Sequence, residues 1–193
     1  MKEEHIEFLV EEPSMRNFLQ GILPRILPEG YQLDVNCFIR EHQGKQDLKK
    51  SIPKKVKAFQ YYSIPVKVVV IHDQDSSDCR QLKSELEKLI TDNSNIPFLI
   101  RIACRELEAW YLGDMDALNA VYPGFNANSN RGKALFRNPD ECNPSDEIRK
   151  RIPTFQKGYA SKEIAQYFVL EKNRSTSFNQ LVSGIRRFLA NKG

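Results

Sequence analysis

The chain has 193 residues, of which 40% are hydrophobic, and carries a formal net charge of +4. This length suits one domain with a small addition, whose core buries roughly 70% of the unfolded surface. The N-terminus has no basic-then-apolar leader, and no apolar run approaches the ~20 residues needed to cross a bilayer. We therefore expect a soluble, cytoplasmic protein. The four cysteines show no C-x-x-C spacing, which argues against a zinc knuckle or a thioredoxin-like pair.

Short apolar segments alternate with amphipathic ones in the first two thirds of the chain. The predicted strands are short apolar or alternating runs at residues 6–10, 31–40, 66–71 and 97–103. Helical spacing predicts helices at residues 14–27, with Ser14 as N-cap, at 77–91 and from 106 to 112. Pro53 interrupts the basic segment 45–62, so a helix is expected there only from residue 54 onward. This alternation predicts an α/β fold with a mainly parallel sheet flanked by helices.

The last third of the chain has a different pattern. Residues 122–153 are rich in Asn, Pro, Gly and charge, without a clear period, and predict a long surface loop with a short helix. Residues 161–189 return to helical patterning. We therefore expect an α/β core over residues 1–121, and over 122–193 a loop and helical extension packed on that core.

Acidic residues follow the most apolar predicted strand. The run of Val and Ile at 68–71 is followed by Asp73, Asp75 and Asp78. Residues two apart in an extended segment point to the same side, so Asp73 and Asp75 can face one cation. Asp78 suits the first turn of the next helix. Because Asp is also a favoured turn and N-cap residue, a well-capped turn is the alternative explanation.

A second acidic strand end favours a shared site. Glu11 and Glu12 follow the first predicted strand, and the carboxyl ends of parallel strands meet at one edge of the sheet. Glu11 with Asp73 and Asp75 would supply oxygen ligands suited to Mg²⁺ or Mn²⁺. The pattern is not an EF-hand, because the sixth position from Asp73 is Asp78 instead of glycine.

The neighbours of these acids have two interpretations each. Glu106 and Glu108 follow the strand at 97–103, and either complement the dipole of the next helix or give the site a further ligand. Strict alternation turns His72 away from the acidic side, which predicts a structural histidine.

Basic residues cluster in the segment 45–57 and recur in isolation at Lys157. Such runs attract phosphate backbones by counterion release, although most charge runs are simply solvated faces. The candidates for nucleic-acid contact are Lys49, Lys50, Lys54, Lys55 and Lys157. There is no Walker loop, G-x-G-x-x-G or G-x-S-x-G motif, so we do not expect the chain to bind ATP by itself.

Three short blocks of the sequence resemble a known family. The blocks are FLVEEPS at residues 8–14, HDQDSSDC at 72–79 and ELEAW at 106–110. A strand ending in glutamate and a later one ending in Asp-x-Asp resemble the TOPRIM fold of topoisomerases, primases and OLD-type nucleases. Together with the tail at 157–181, the blocks are similar to a small TOPRIM-like family. Its members are often encoded beside an ABC- or AAA-type ATPase in antiphage defence modules.

The resemblance implies a TOPRIM-like (Rossmann-like) sheet with a C-terminal helical part. It makes Glu11 the catalytic acid or a metal ligand, Asp73 and Asp75 the metal ligands, and Glu108 a supporting acid. The family usually has a glycine after its first glutamate and a second glutamate three residues later. Here those positions hold Glu12 and Met15, and Met15 cannot bind a hard cation.

Three functional hypotheses follow. The first is a Mg²⁺- or Mn²⁺-dependent nuclease, or a related phosphoryl-transfer effector, that acts on DNA or RNA with an ATPase partner in antiviral defence. The second is a non-catalytic TOPRIM-like subunit that binds an ATPase or a phage protein, since fold does not fix function. The third is a small-molecule phosphatase or hydrolase, which only the acidic residues favour. The sequence does not predict the oligomeric state.

Overall fold

The computed structural model describes residues 2–190. The centre of the fold is a four-stranded parallel sheet with the strand order β2-β1-β3-β4. The strands are β1 (His5–Val10), β2 (Cys37–Glu41), β3 (Val66–Asp73) and β4 (Phe98–Ala103). The predicted α/β class, with a parallel sheet flanked by helices, is confirmed.

Helices cover both faces of the sheet. The helices are α1 (Pro13–Ile22), α2 (Lys45–Phe59), α3 (Cys79–Thr91), α4 (Glu108–Gly113), α5 (Met115–Val121), α6 (Ala127–Arg131), α7 (Pro144–Arg151), α8 (Lys157–Tyr167) and α9 (Thr176–Ala190). Side chains alternate along β1, so Phe8 packs with α1, α8 and α9 on one face, while Leu9 packs with α2 and α3 on the other. None of the helices within residues 2–190 is long and apolar enough to cross a membrane.

The strand order places a topological switch point at the centre of the sheet. From β1 the chain crosses to β2 on one side, and from β2 it returns past β1 to β3 on the other. Connections that diverge in this way leave a crevice at the carboxyl ends of the two central strands, where open α/β sheets bind their ligands. Val10 of β1 is in register with Ile71 of β3, so Glu11 and Asp73 lie at that crevice.

Several predicted boundaries are wrong, for local reasons. α1 begins at Pro13 after Glu12 as the N-cap residue, and Ser14 lies inside the helix. It stops at Ile22, where a 3-10 turn containing Pro24 follows. The strand predicted at 31–40 is reduced to Cys37–Glu41 because the chain turns before it, with Asp34 in a left-handed conformation.

The basic segment forms one continuous helix, which the sequence did not predict. Pro53 lies inside α2 and cannot donate the main-chain hydrogen bond expected at that position. The helix persists because Leu48, Ile52 and Val56 are fully buried against the sheet. Tertiary packing therefore outweighs the local cost of the proline.

The segment 122–153 is not a surface loop. It contains α6 and α7, and its residues Phe125, Phe136 and Ile148 are buried in the cluster that also holds Phe8 and Phe178. Polar residues separate these anchors irregularly, which is why the segment showed no period. The division of the chain at residue 121 stays a prediction.

Candidate functional site

The ends of β1 and β3 are joined through the side chain of Glu11. Its Oε2 accepts a hydrogen bond of 3.3 Å from the main-chain N–H of Asp73 and lies 3.1 Å from Nδ1 of His72. Nδ1 also lies 2.5 Å from the main-chain oxygen of Asp73, which can only accept, so Nδ1 carries the proton. His72 therefore contacts the acidic site, contrary to the alternation expected at a strand end. Burial lowers the pKa of His72, so its imidazole is neutral near pH 7.

A third acid reaches the same crevice from α4. Glu108 is 1% exposed, and its Oε1 lies 3.5 Å from Nζ of Lys157, the first residue of α8. The same ammonium group lies 3.8 Å from Oε2 of Glu106 and 4.0 Å from Oε2 of Glu12. Lys157 therefore lies among three carboxylates, one from the start of α1 and two from the segment after β4, and it is no isolated solvated lysine.

The buried acids have strongly perturbed pKa values. Burial raises the pKa of Glu11 to about 7, and the nearby carboxylates of Asp75 and Glu12 add to the shift. Burial also raises the pKa of Glu108 to about 7. For Asp73, burial and then the charges of Glu11 and Glu108 hold the pKa well above its usual range. These shifts show that the three carboxyl groups interact in one poorly solvated place.

Two carboxylate oxygens in this place have no partner. Within residues 2–190, Oδ1 of Asp73 and Oε2 of Glu108 are buried without a hydrogen bond. The hydroxyl of Tyr111, which also interacts electrostatically with both acids, is buried and unpartnered as well. Buried polar atoms are normally satisfied, so unpaired ones call for an explanation such as an ion or a ligand.

Asp75 and Asp78 lie on the outer side of the site. Asp75 has a left-handed backbone, with φ of 52°, and its carboxylate accepts a 3.1 Å hydrogen bond from Lys45. Asp78 is the N-cap residue of α3 and accepts from the main-chain N–H of Gln81 at 2.8 Å. Asp78 therefore caps α3 from the position just before the helix, whereas the sequence predicted it in the first turn.

The acidic residues fit a hard divalent cation by donor chemistry. The donors are all carboxylate oxygens, and two of them are buried without a partner. The metal site is not preformed, because no group of three or more His, Cys, Asp and Glu side chains between residues 2 and 190 is placed to hold a metal ion. Lys45 on Asp75 and Lys157 on Glu108 neutralise part of the acidic charge instead.

The predicted nucleic-acid lysines divide into two groups. Lys157 lies at the acidic crevice, whereas Lys49, Lys50, Lys54 and Lys55 lie along α2. Lys49 pairs with Glu85 of α3 at 2.9 Å, and Lys50 and Lys54 are exposed. Met15 is 3% exposed and packs in the apolar core.

A groove of about 490 Å³ beside the crevice contains residues that the sequence did not single out. Asp75, Glu106 and Lys157 line it together with Arg105 and Arg149. Arg105 lies two residues after the end of β4, so its place after a strand end was a usable signal. Arg149 stands in α7, and only the packing of the 122–153 segment brings it here.

The fold and this crevice define an α/β protein with a buried acidic site at the switch point of a parallel sheet. Residues 10–186 match the family described as a domain of unknown function (DUF4276), and the chain belongs to that family. The structure is also similar to the C-terminal region of the OLD protein of Xanthomonas campestris pv. campestris. That similarity has a TM-score of 0.49 and 13% sequence identity, and covers 98% of each chain. A comparison with curated proteins found no match.

Proposed function

We propose that this protein is a Mg²⁺- or Mn²⁺-dependent nuclease, or a related phosphoryl-transfer effector, that acts on DNA or RNA. The observation that carries the proposal is the convergence of Glu11, Asp73 and Glu108 at the switch point, with a buried oxygen of Asp73 and another of Glu108 left unpartnered. Buried carboxylates without partners are costly, and a divalent cation offsets that cost directly. The TOPRIM-like sequence blocks contain these same residues.

Each residue has a role that its position supports. Asp73 and Glu108 would hold the cation on the buried side of the crevice, and Asp75 would hold it on the open side once Lys45 releases it. The cation, when bound, supplies positive charge for the phosphoryl oxygens and activates a water molecule. A pKa of about 7 suits Glu11 to accept a proton near neutral pH. Lys157, freed from Glu108, would contact a phosphate oxygen.

Metal binding can be tested without any substrate. We expect Mn²⁺ to raise the melting temperature of the wild-type protein, because a ligand that binds only the folded state stabilises it. Asp73→Asn should abolish this shift. Asp78→Asn is the matched control, since Asp78 lies five residues after Asp73 and asparagine caps a helix as well as aspartate does. An identical Mn²⁺ response of all three proteins would contradict the proposed metal site.

Cleavage is the second test. DNA and RNA substrates are incubated with Mg²⁺ or Mn²⁺ and the wild type, Asp73→Asn or Asp78→Asn. We expect Asp73→Asn to reduce cleavage on the order of 100-fold or more, and Asp78→Asn to leave it unchanged. Equal rates in the three proteins would remove the nuclease proposal.

An ATPase partner and a role in antiphage defence belong to the same proposal, and only the sequence resemblance supports them. Two observations favour the non-catalytic alternative. Lys45 and Lys157 form ion pairs with Asp75 and Glu108, and within residues 2–190 no group of side chains is already placed to hold a metal ion. A sizing experiment with an ATPase encoded beside this chain separates the two. Tight association without any Mn²⁺ response supports the non-catalytic subunit, whereas a Mn²⁺ response that requires Asp73 supports the nuclease.

A further inference from the structure

We propose that the groove beside the acidic crevice binds the phosphate backbone of a nucleic-acid strand through the guanidinium groups of Arg105 and Arg149. The identity of the substrate rests on the proposed function. The choice of binding surface rests on the groove itself. It differs from the surface that the sequence predicted, which was the lysine run along α2.

The groove is continuous with the buried acids. Lys157 lines it and also lies 3.5 Å from Oε1 of Glu108. Asp75, two residues after the end of β3, lines it as well. Its volume of about 490 Å³ falls within the range of small-ligand sites, and Arg105 and Arg149 on its walls are exposed. A strand can therefore lie in it with one phosphate next to the acids and its neighbours outside.

Two of the acidic side chains in the groove already have partners, whereas its two arginines have no ion-pair partner in the part of the chain that the structure describes. Asp75 is engaged by Lys45, and Glu106 lies 3.8 Å from Lys157 and accepts the main-chain N–H of Ser145 at 3.0 Å. Within residues 2–190, no ion pair is formed by Arg105 or Arg149. Asp146 is the remaining acid, and it lies in the first turn of α7, where the helix dipole favours its charge.

Arginine has the chemistry that this surface needs. A guanidinium group presents a planar fork of donors that matches two phosphate oxygens, and it stays charged at any physiological pH. Two unpaired guanidinium groups beside a partly neutralised acidic site therefore attract consecutive phosphates. A site for cations would not place unpaired arginines on its wall, because like charges repel.

The main chain around Arg105 is held in place before any ligand arrives. Arg105 has φ of 62° and Asp75 has φ of 52°, which is unusual for residues other than glycine. The N–H of Asp75 donates to the oxygen of Arg105 at 2.7 Å, and the N–H of Arg105 donates to Oε1 of Gln74 at 3.1 Å. The loops after β3 and β4 are thus tied together, which lowers the entropy lost when the groove binds a strand.

The α2 lysines are less suited to this role. Lys49 is paired with Glu85, and Lys50 and Lys54 follow further along the helix, away from Lys45 at the crevice. Because each residue advances a helix by about 1.5 Å, Lys54 lies on the order of 14 Å along the axis from Lys45.

Binding is measured by the fluorescence anisotropy of labelled single-stranded DNA and RNA oligonucleotides in EDTA, so that metal-dependent cleavage plays no part. We expect Arg105→Gln/Arg149→Gln to weaken binding about tenfold or more. It should also reduce the slope of log affinity against log salt by about 1.4, since each phosphate contact on a single strand contributes about 0.7. The control pair, Lys50→Gln/Lys54→Gln, removes the same charge from exposed positions on α2 and should leave both quantities nearly unchanged.

Folding is checked through the melting temperature and through a charge-retaining variant. Arg105→Lys/Arg149→Lys keeps both charges but loses the planar fork, so we expect its affinity to fall between wild type and the glutamine variant. An unchanged melting temperature in all variants shows that the loss is one of binding.

Several results would overturn the proposal. These are equal affinity of the Arg105→Gln/Arg149→Gln variant and the wild type, a larger loss in the α2 variant, or binding of inorganic phosphate or a mononucleotide but of no oligonucleotide. Failure of the groove proposal and failure of the nuclease proposal give different results. If the protein cleaves with metal and the arginine variant binds like the wild type, only the proposal for the groove is contradicted. If binding requires the arginines but no metal supports cleavage, the groove proposal is supported and the nuclease proposal is contradicted.

Discussion

The main-chain N–H of Asp73 donates a 3.3 Å hydrogen bond to Oε2 of Glu11, joining the carboxyl ends of the two central strands. Because β1 and β3 are parallel neighbours with Val10 opposite Ile71, this contact follows directly from the register. It fixes the Glu11 carboxylate next to Asp73 while both are largely removed from water. The strand pairing thus builds the acidic site, and the loops only add to it.

Replacing Glu11 tests this relationship. Glu11→Gln keeps an oxygen that can accept from Asp73 but removes the titrating group, so we expect cleavage to fall on the order of 100-fold or more. The melting temperature should stay the same or rise, because a buried carboxyl group is no longer desolvated. Glu12→Gln is the adjacent control. Its side chain reaches Lys157 only at 4.0 Å, and an equal loss of activity there would contradict the assignment.

The buried acids predict how stability depends on pH. Burial raises the pKa of Glu108 from 4.5 to about 7, so between these values the folded state holds more protons than the unfolded state. The contribution of Glu108 to stability is therefore complete below about pH 4.5 and is lost as the pH rises through about 7. We expect Glu108→Gln to stabilise the metal-free protein on the order of 1–3 kcal/mol more at about pH 8 than at about pH 4.5.

The comparison with a variant is needed because other acids act in the opposite direction. Hydrogen bonds from Lys150 and Arg151 lower the pKa of Glu147, which favours stability at high pH. Thermal unfolding of wild type, Glu108→Gln and the control Glu87→Gln across this range isolates Glu108. Glu87 lies on α3, where it pairs with Lys83 at 3.8 Å. A pH profile of Glu108→Gln parallel to that of the wild type would argue against a buried, protonated Glu108.

The packing of α1 on α8 gives a prediction about stability alone. A Cβ atom added at Gly21 would lie 2.5 Å from Cβ of Ala165, so Gly21→Ala should destabilise the fold by about 1–3 kcal/mol. Adding Ala165→Gly removes that overlap, and a double-mutant cycle should show favourable coupling. Gly158→Ala in α8 meets nothing within 4 Å and should not destabilise the protein. Additive losses for Gly21 and Ala165 would mean that the two helices do not meet closely there.

The regular parts of the fold were predictable because they follow local rules. Apolar runs followed by acids predicted β1 and β3, an apolar run predicted β4, and alternation predicted part of β2. Asp78 was assigned to the start of a helix because an amphipathic run follows it. Pro53 shows the limit of such rules. A proline normally ends a helix, but burial of Leu48 and Val56 on either side keeps α2 continuous, and no local signal reports that burial.

The candidate site was predictable in part for the same reason. Glu11 and Asp73 could be placed together because parallel strands end at one edge. The charges around them depend on distant segments, since Lys157 enters from α8 and Arg149 from a segment without a period. The pairing of Lys45 with Asp75 was equally hidden, because it requires α2 to begin before Pro53.

Removing the charge of Lys157 tests whether it neutralises the acidic site. Burial opposes its charge, but nearby carboxylates, first that of Glu108, raise the pKa of Lys157, so it is protonated at neutral pH. Lys157→Met keeps an apolar stem and leaves Glu108 buried without a counter-charge, which should cost on the order of 1–3 kcal/mol at about pH 8. The cost should shrink at about pH 4.5, because a neutral carboxyl group needs no counter-charge.

Lys150→Met is the matched control, since that lysine is largely exposed and its ion pair is worth at most about 1 kcal/mol. Thermal unfolding at both pH values decides the matter, because a loss that does not change with pH would mean that Lys157 acts through packing and not through its charge.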